Sequence, residues 1–406
     1  MTDVMNGIRI LEVAEHTFVP AASAVLADWG AEVIKVEHVT RGDAMRGLGR
    51  TGVMDLSQGV HVLNEHSNRG KRSIGLDLAK PEGLEVLYKL AATSDVFLTN
   101  KLPSVLDRLK IGISDIRAHS PKIIYVRGTA FGPKGPDRDR GGYDMTAFWC
   151  RAGSAASATL PGLPFIVPQP GPAYGDSMGG MTIAGGIAGA LLKRERTGEP
   201  SVVDVSLLAM GAWAMAGGIA LSLQTGKPWS LTMAAGGGPG NPLTGIYKTS
   251  DQRWISVVML QGFRYWPDFC RHLGRPDLIE DPRFDSAEKF GENAGDARQI
   301  IGEEIAKATL AEWTQRFATL EGQWAPVQHT LEVAADPQVR ANGYMTTAAT
   351  REGVEFELVA SPVQFDEEPT PTSRGPEFNE HGDEILQELG LDWDRIVELK
   401  AAGAVT

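Results

Sequence analysis

The sequence has few features of a disulfide-bonded, membrane-spanning or nucleic-acid-binding protein. It contains two cysteines, Cys150 and Cys270, too few for a disulfide framework or a cysteine metal cluster. Its apolar stretches, such as Ala209–Leu223, are short and rich in glycine, and none reaches the roughly 20 apolar residues of a membrane helix. The formal net charge of −12 argues against a nucleic-acid partner, which needs a basic face. With free thiols and no recognisable signal peptide, we expect a cytoplasmic protein.

The composition is that of an ordinary globular protein. Hydrophobic residues make up 42% of the chain and charged residues 22%. A length of 406 residues exceeds a single typical core and favours two domains. The 47 glycines and 24 prolines predict many tight turns and close backbone approaches.

The first 130 residues alternate between strand and helix patterns. The predicted strands are 8–13, Val33–Glu37, Ser73–Asp77, Asp95–Thr99 and Lys122–Arg127, and the predicted helices between them are Val19–Trp29, Pro81–Thr93 and Leu102–Lys110. Such β-α-β units form parallel sheets, so we expect an α/β fold with an open, Rossmann-like sheet. The turn after the first strand reads AEHTFVP and lacks the G-x-G-x-x-G fingerprint of dinucleotide binding.

The pattern after residue 130 continues the large domain and then predicts a second, smaller α+β domain. In the large domain, a long helix over Ser177–Arg196 precedes a strand at Val202–Leu207. In the small domain, Ile246–Leu260 alternates like a hairpin. Helical patterns follow at Pro267–His272 and Ala297–Leu320. We predict a large domain over residues 1–224, a small domain over 225–330, and a return segment over 331–406 that completes the large domain.

Asp176 follows Gly175 at the predicted start of the long helix. Aspartate at that position commonly caps a helix by accepting a backbone N–H, which is the structural interpretation. A helix N-terminus also favours an ionised carboxylate, and such a group can attack an activated carbonyl. The small residues of the helix allow close packing that would hold the carboxylate rigidly.

Three other segments have both a structural and a functional interpretation. Gly236–Gly238 is either a flexible loop or a flap whose N–H groups close over a reacting acyl group. Lys71, Arg72 and Arg108 are either solvated surface charges or contacts for the phosphates of an anionic ligand. His61 and His66 share neither a helix face nor a strand face, so we predict no metal site.

Five segments in order resemble the class III CoA-transferase family, also called CaiB/BaiF. They are GIRILEVAEHTFVPAASAVLADWGAEVIKVE, NRGKRSIGLDLAKPEG, DVFLTNKLPSVLDRLKIG, GDSMGGMTIAGGIAGALLKRERTGEPSVVDVSLL and EFNEHGDEILQELGL, and they span nearly the whole chain. The resemblance implies an enzyme that moves CoA from an acyl-CoA to a free carboxylic acid, with CoA esters as substrates and no further cofactor. It also implies protomers that interlock as a ring-like homodimer.

The resemblance assigns roles to individual residues. Asp176 falls on the catalytic aspartate, which forms an acyl anhydride and then an aspartyl-CoA thioester. Gly237 and Gly238 fall on the glycine flap. The CoA contacts fall on Thr17, His38, Leu76, Asn100, Lys101, Arg108, Leu109 and Tyr143. His38 replaces a frequent arginine and Ala79 a lysine, so phosphate contacts are predicted to shift to Arg41, Arg69, Lys71 or Arg72.

Two alternatives stay open. The same family includes 2-methylacyl-CoA racemases, which use a histidine and an aspartate as two bases. Where those enzymes read Gly-His-Asp this chain reads Gly142-Tyr143-Asp144, and neither Leu260 nor Gln261 supplies a further acid. A protein that binds CoA esters without turnover would keep the fold and need no nucleophile.

Overall fold

A computed structural model describes residues 4–51, 59–230 and 240–406 of the chain. The chain forms two compact units. The first comprises Met1–Ala156, Val167–Ala220 and Pro337–Thr406, and the second comprises Ser157–Ile166 and Leu221–Asp336. The flap residues Gly236–Gly238, including the catalytic candidates Gly237 and Gly238, lie outside the described residues.

The first unit is built on a six-stranded parallel sheet in the order β3-β2-β1-β4-β5-β6. Its strands are β1 Arg9–Val13, β2 Glu32–His38, β3 Arg72–Leu76, β4 Val96–Thr99, β5 Ile124–Thr129 and β6 Val202–Ser206. The predicted α/β class with a parallel sheet is confirmed. The strand order reverses between β1 and β4, where Val13 pairs with Thr99 at the carboxyl ends. In open α/β sheets ligands bind at this switch point.

Helices cover both faces of this sheet. They include α1 Phe18–Asp28, α3 Pro81–Ala92, α4 Pro103–Leu109, α5 Ile113–His119, α7 Tyr174–Thr197, α8 Leu207–Ala214 and, near the end of the chain, Gly382–Glu388 and Trp393–Ala401. Two further helices are α2 Val62–Asn68, which packs on α1, and α6 Ser154–Ala158. Adjacent β1 residues serve opposite cores: Ile10 packs with α1 and α7, and Leu11 packs with α3 and α5. Burial on both faces explains why β1 reads as a continuous apolar run.

Helix α7 packs on α1 through glycines. A methyl group at Gly179 would overlap the ring of Phe18, so only glycine permits this spacing. The helix ends at Thr197, and Gly198 closes it in a left-handed conformation with φ 72°. Helix α7 is therefore fixed to the inside of the unit along its N-terminal half.

Shorter elements complete the first unit. Ala44–Thr51 forms a 3₁₀ helix and Met145–Cys150 a π-helical turn, and Pro337–Ala341 is a short α-helix. Strands β10 Met345–Ala349 and β11 Glu355–Val359 pair as an antiparallel hairpin. The apolar stretch 209–223 lies in two helices, α8 and α9 Ala216–Thr225, with a bend of 67° between them, and α9 continues past Ala220, where the first unit ends.

The second unit contains an antiparallel sheet of β7 Thr244–Lys248, β8 Trp254–Val258 and β9 Trp324–Pro326. The predicted hairpin is confirmed as β7–β8. Its helices are Gly262–Leu273, Ala287–Glu292, Ala294–Ile305, Leu310–Arg316 and Thr330–Ala335, with 3₁₀ turns at Pro276–Ile279 and Phe317–Thr319. The single helix predicted over 297–320 is broken because Thr309 and Glu312 form a capping box that starts a new helix.

Among residues 4–51, 59–230 and 240–406, no single helix has the length and apolar composition of a membrane span. Helices α8 and α9 meet that test only when taken together across their bend.

Candidate active site

Two adjoining cavities open in the first unit at the carboxyl ends of its strands. The Asp176 cavity, about 600 Å³, is lined by the turn after β1, the turn after β4, the end of β5, the segment 140–146 and Asp176. The His38 cavity, about 310 Å³, is lined by the ends of β1, β2 and β3 and by α4. Both are lined by Glu15, Arg41, Lys101, Val105 and Arg108. The two cavities therefore form one groove at the switch point of the sheet.

Asp176 is the third residue of α7. The prediction that it caps the helix is wrong, because the helix begins at Tyr174 and the N-cap is Ala173, in a left-handed conformation with φ 55°. Asp176 remains within the first turn, where the backbone N–H groups point outward. Its carboxyl group is half-buried and lines the Asp176 cavity.

Burial raises the pKa of Asp176 to about 7, and the negative charge of Asp144 contributes as a second cause. We expected the helix N-terminus to favour the ionised form, whereas loss of solvent disfavours it. Asp144 is held in place by two donors: the backbone N–H of Met145 at 2.8 Å and Nε2 of Gln169 at 2.9 Å. The site thus contains two neighbouring carboxyl groups, of which only Asp176 lines the cavity.

The start of α7 is fixed by aromatic packing. A methyl group at Gly175 would lie 2.6 Å from Cγ of Phe148, so the helix backbone rests directly on that ring. The ring of Tyr174 meets Phe148 and Trp149 edge to face. This packing leaves Asp176 little freedom to move away from the cavity.

Seven of the predicted CoA contacts line the groove. His38, Leu76 and Leu109 line the His38 cavity, Asn100 and Tyr143 line the Asp176 cavity, and Lys101 and Arg108 line both. Thr17 is buried at the start of α1 and lines neither, although its neighbours His16 and Phe18 line the Asp176 cavity. The structure therefore brings most of the predicted residues together around Asp176.

Lys71 and Arg72 lie away from the groove, and their predicted contacts with phosphates do not fit this placement. Lys71 is 4% exposed, and its Nζ bonds Glu12 and the carbonyl of Pro20 at 2.7 and 2.8 Å. Burial lowers the pKa of Lys71 to about 7. Arg72 begins β3, at the opposite edge of the sheet from Leu76, and pairs there with Glu32 and Glu388.

The rerouted phosphate contacts that were predicted for Arg41 and Arg69 have different outcomes. Arg41 lines both cavities, whereas Arg69 is buried against Asp28, with Nη2 at 2.7 Å from Oδ2. The groove is lined by both cations and carboxylates: Arg41, Lys101, Arg108 and Arg140, and Glu15, Glu37, Asp77 and Asp176. Arg41, Lys101 and Arg108 line both cavities, where they can donate charge-assisted hydrogen bonds to phosphates.

Sequence reasoning missed Glu15, His16 and Arg140 as groove residues. Glu15 and His16 occupy the turn directly after β1, and Glu15 forms an ion pair with Lys101. Their position at the carboxyl end of the first strand of the predicted parallel sheet is the signal that would have identified them, since ligands of open α/β sheets bind at the carboxyl ends of strands. Within the described residues, no group of three His, Cys, Asp or Glu side chains is arranged to hold a metal ion.

Comparison with known proteins assigns this chain to a family. The model of CoA-transferase family III matches residues 5–382, so the chain belongs to that family. It is 29% identical to (R)-2-hydroxy-4-methylpentanoate CoA-transferase of Clostridioides difficile, over 99% of each chain. It is 31% identical to cinnamoyl-CoA:phenyllactate CoA-transferase of Clostridium sporogenes, over 98% of this chain and 96% of the relative.

The fold matches solved structures of the family. The crystal structure of Rv3272 from Mycobacterium tuberculosis aligns with a TM-score of 0.78 at 27% identity, over 94% of this chain and 98% of the other. A CaiB/BaiF family protein from Brucella suis aligns with a TM-score of 0.77 at 27% identity, over 95% and 99% of the two chains. The predicted resemblance to this family is confirmed.

Proposed function

We propose that the chain transfers CoA from an acyl-CoA to a free carboxylic acid, with Asp176 as the covalent nucleophile. The observation that carries the proposal is the position of Asp176, in the first turn of a packed helix and at the wall of a cavity of about 600 Å³. Pockets of this size hold ligands comparable to a drug molecule, and the acyl end of a thioester is smaller.

The reaction divides into balanced acyl transfers. The Asp176 carboxylate attacks the thioester carbonyl and expels the CoA thiolate, which leaves a mixed anhydride. The thiolate attacks the aspartyl carbon of the anhydride, releases the donor acid and forms an aspartyl-CoA thioester. The acceptor carboxylate attacks that thioester to give a second anhydride and the thiolate again. Attack of the thiolate on the acceptor acyl carbon then yields the new acyl-CoA and restores the Asp176 carboxylate.

The groove offers complementary places for the two ends of CoA. Arg41, Lys101 and Arg108 line both cavities and supply charge-assisted donors for phosphate oxygens. The His38 cavity adds the apolar side chains of Leu76 and Leu109 for a flat base. The pantetheine arm would then run from the shared residues into the Asp176 cavity.

The raised pKa of Asp176 is compatible with this role. A carboxylate that is poorly stabilised by its surroundings is a stronger base and nucleophile than one in water. With a pKa of about 7, a large share of the groups is ionised at neutral pH. Burial thus makes the Asp176 carboxylate more reactive and lowers the fraction that is ionised at neutral pH only moderately.

Trapping of the covalent intermediate tests the proposal. The enzyme is incubated with an acyl-CoA, quenched with hydroxylamine or borohydride, and digested for mass spectrometry. We expect the modification on Asp176 and none in Asp176→Asn, while Asp139→Asn, an exposed carboxylate paired with Arg138, labels like the wild type. Absence of label on Asp176 with several donors, together with retained activity of Asp176→Asn, would contradict covalent catalysis.

The relatives guide the choice of substrates. Their names contain 2-hydroxy acids, phenyllactate, succinate and glutarate as acids. A panel of these acids against cinnamoyl-CoA and succinyl-CoA is the first screen. In the same assay, a chiral 2-methylacyl-CoA in deuterated water without acceptor acid distinguishes the racemase, since α-hydrogen exchange requires a base that a transferase does not use.

We also propose a homodimer in a cytoplasmic setting. Large apolar side chains are exposed on the chain taken alone, with Trp213 and Leu223 each 82% exposed. Exposed apolar surface of this kind is typical of an interface between subunits. Light scattering after size exclusion would give twice the mass of 43.6 kDa, and a monomer at micromolar concentration would contradict the dimer. The cytoplasmic location stays a prediction from cysteine usage.

A further inference from the structure

His16 combines an unusual backbone conformation with a place in the Asp176 cavity. Its φ is 67°, in the left-handed region that residues other than glycine seldom adopt. Its ring meets Tyr143 edge to face, with the ring centroids 5.7 Å apart, and both residues line the same cavity as Asp176. Conformations of this kind persist where surrounding contacts impose them, and they cluster at functional sites.

Side chains from other elements fix the backbone on both sides of His16. The carbonyl of Ala14 accepts from Nζ of Lys35 at 3.0 Å. Asn100 bonds both polar backbone groups of Glu15: Oδ1 accepts from the N–H at 3.2 Å and Nδ2 donates to the carbonyl at 2.7 Å. The N–H of His16 donates to Oδ1 of Asp43 at 3.0 Å. The turn after β1 is therefore held by three separate side chains.

Asp43 is itself held by a buried ion pair. Its Oδ2 lies 2.7 Å from Nζ of Lys35, and both side chains are fully buried. Lys35 also pairs with Glu12 at 2.7 Å, which in turn pairs with Lys71. Buried ion pairs contribute little net stability and are instead associated in some proteins with a unique conformation. The network leads from the core of the sheet to Oδ1 of Asp43, which accepts from two backbone N–H groups, that of His16 at 3.0 Å and that of Met45 at 2.8 Å.

We propose that His16 contacts the acyl group in the Asp176 cavity, and that Asp43, fixed by Lys35, is a positioning residue that holds His16 in its left-handed conformation. This inference rests on the proposed function and adds to it a residue that recognises the acyl end of the substrate. The imidazole offers one hydrogen-bonding nitrogen to an oxygen of the thioester or of the incoming carboxylate. Glycine adopts a φ of 67° with less strain than histidine, so the imidazole occupies this wall of the cavity at a conformational cost.

The first experiment removes the ring and keeps the backbone. His16→Gly permits φ 67° without steric cost, and we expect the rate of Asp176 acylation to fall roughly 10²-fold, as for loss of one preorganised donor in an active site. Binding of free CoA should stay within about twofold, because the phosphate contacts lie elsewhere. Gln252→Gly is the matched control: Gln252 also has a positive φ, of 63°, but lies in the turn between β7 and β8. It should leave acylation unchanged.

The second experiment tests positioning by a double-mutant cycle. Asp43→Asn keeps the shape of the side chain and removes the charge that pairs with Lys35, and we expect a smaller loss in acylation rate. If Asp43 acts through His16, the variant with both changes is no slower than His16→Gly alone. An effect of Asp43 on acylation that is independent of His16 would instead give additive losses. Thermal melts of all variants identify any that fail to fold.

The outcomes separate this inference from the proposed function. Label on wild-type Asp176 with an unchanged acylation rate in His16→Gly overturns the role of His16 and leaves covalent catalysis intact. Additive losses in the cycle overturn the positioning role of Asp43. Absence of label in the wild type is a failure of the proposed function instead. Slow acylation in His16→Gly, normal CoA binding and a non-additive cycle together support the inference.

Discussion

The negative charge of Asp144 raises the pKa of Asp176, its neighbour in the active site, beyond the effect of burial. The two residues come from different segments, since Asp144 precedes the π-helical turn Met145–Cys150 and Asp176 lies in α7. Asp144 is itself buried and accepts hydrogen bonds from Met145 and Gln169. Proximity of a like charge is a well-defined way to tune a catalytic carboxyl group.

This relationship predicts the pH dependence of acylation. Only ionised Asp176 attacks the thioester, so the single-turnover rate should rise tenfold per pH unit below about pH 7 and level off above it. Asp144→Asn removes the second cause of the raised pKa but leaves burial, so the midpoint should move to lower pH by less than the full shift. Rapid-quench measurements of the Asp176 adduct between pH 5 and 9 give both midpoints.

The control for this prediction is Asp139→Asn, which removes an exposed charge paired with Arg138. It should leave the midpoint in place. Oε1 of Gln169 accepts no hydrogen bond from the described residues, so the Gln169 amide can turn and present it to Asn at position 144, with loss of the 3.1 Å bond from Nε2 to the carbonyl of Gly171. A midpoint that is unchanged in Asp144→Asn would show that burial alone sets the pKa of Asp176.

The same carboxyl group makes folding depend on pH. Folded Asp176 keeps its proton up to about pH 7, whereas the unfolded chain releases it near its ordinary value of 3.8. The folded state therefore binds more protons between about pH 4 and 7, and the free energy of unfolding falls as pH rises through that window. Asp176→Asn has no such charge, so it should be more stable than the wild type by about 1–3 kcal/mol at pH 8, a range reduced because the group is not fully buried.

Denaturant unfolding of both proteins at pH 4 and pH 8 measures this difference. The two free energies of unfolding should nearly coincide at pH 4, where the wild-type carboxyl group is protonated in the folded state. Equal stability at pH 8 would contradict a raised pKa and would also weaken the explanation given for the reactivity of Asp176.

Close packing between α7 and α1 predicts that alanine substitutions at two glycines of α7 change the stability in opposite directions. A methyl group at Gly180 would lie 2.6 Å from Cβ of Ala21 and 3.0 Å from the backbone nitrogen of Ala22, which cannot move aside alone. We expect Gly180→Ala to lower the free energy of unfolding by about 2–3 kcal/mol. It should also slow acylation, because a shifted α7 carries Asp176 with it.

Gly185 is the matched control on the same helix. Among the residues that the structure describes, nothing lies within 4 Å of a methyl group placed there, so Gly185→Ala should raise the free energy of unfolding by about 0.5–1 kcal/mol through helix propensity. Thermal or denaturant unfolding of both variants measures the contrast. Similar stability of the two variants would show that α1 and α7 can separate without cost.

The sheet and much of the groove were predictable from the sequence for one physical reason. Strands buried on both faces read as continuous apolar runs, and each strand of the parallel sheet was predicted within about two residues. The order of the strands is set by which strands pair, as between Ile10 and Val96, and a local pattern does not contain that information. The groove residues predicted by family resemblance mostly follow strand ends.

The errors have a common origin in contacts between distant residues. Lys71 reads as part of a basic surface cluster, but its partner Glu12 lies 59 residues earlier in the chain. The start of α7 was misplaced because Ala173 lacks the side chain of a usual N-cap and enters the helix through a left-handed conformation. In both places the local sequence favours one environment and tertiary packing imposes another.

Arg108 lines the groove and Lys71 is buried away from it, so we expect substitution of Arg108 to weaken CoA binding and substitution of Lys71 to leave it unchanged. Arg108 lines both cavities, so Arg108→Gln should raise the KM for acyl-CoA by about tenfold or more, the effect expected for loss of one charge-assisted hydrogen bond. Lys71→Met removes a buried partner of Glu12, which keeps Lys35 and Ser23. It should lower the free energy of unfolding by about 1–3 kcal/mol and leave KM unchanged.

Steady-state kinetics at two salt concentrations give the KM for acyl-CoA of each variant, and denaturant unfolding gives the free energy of unfolding of each. Added salt should raise the wild-type KM more than that of Arg108→Gln, because screening weakens a phosphate contact that the variant has already lost. The stability of Arg108→Gln should stay near that of the wild type. A large KM increase in Lys71→Met at normal stability would place a phosphate near Lys71 and contradict its burial inside the first unit. An unchanged KM in Arg108→Gln would show that Arg108 does not contribute to CoA binding.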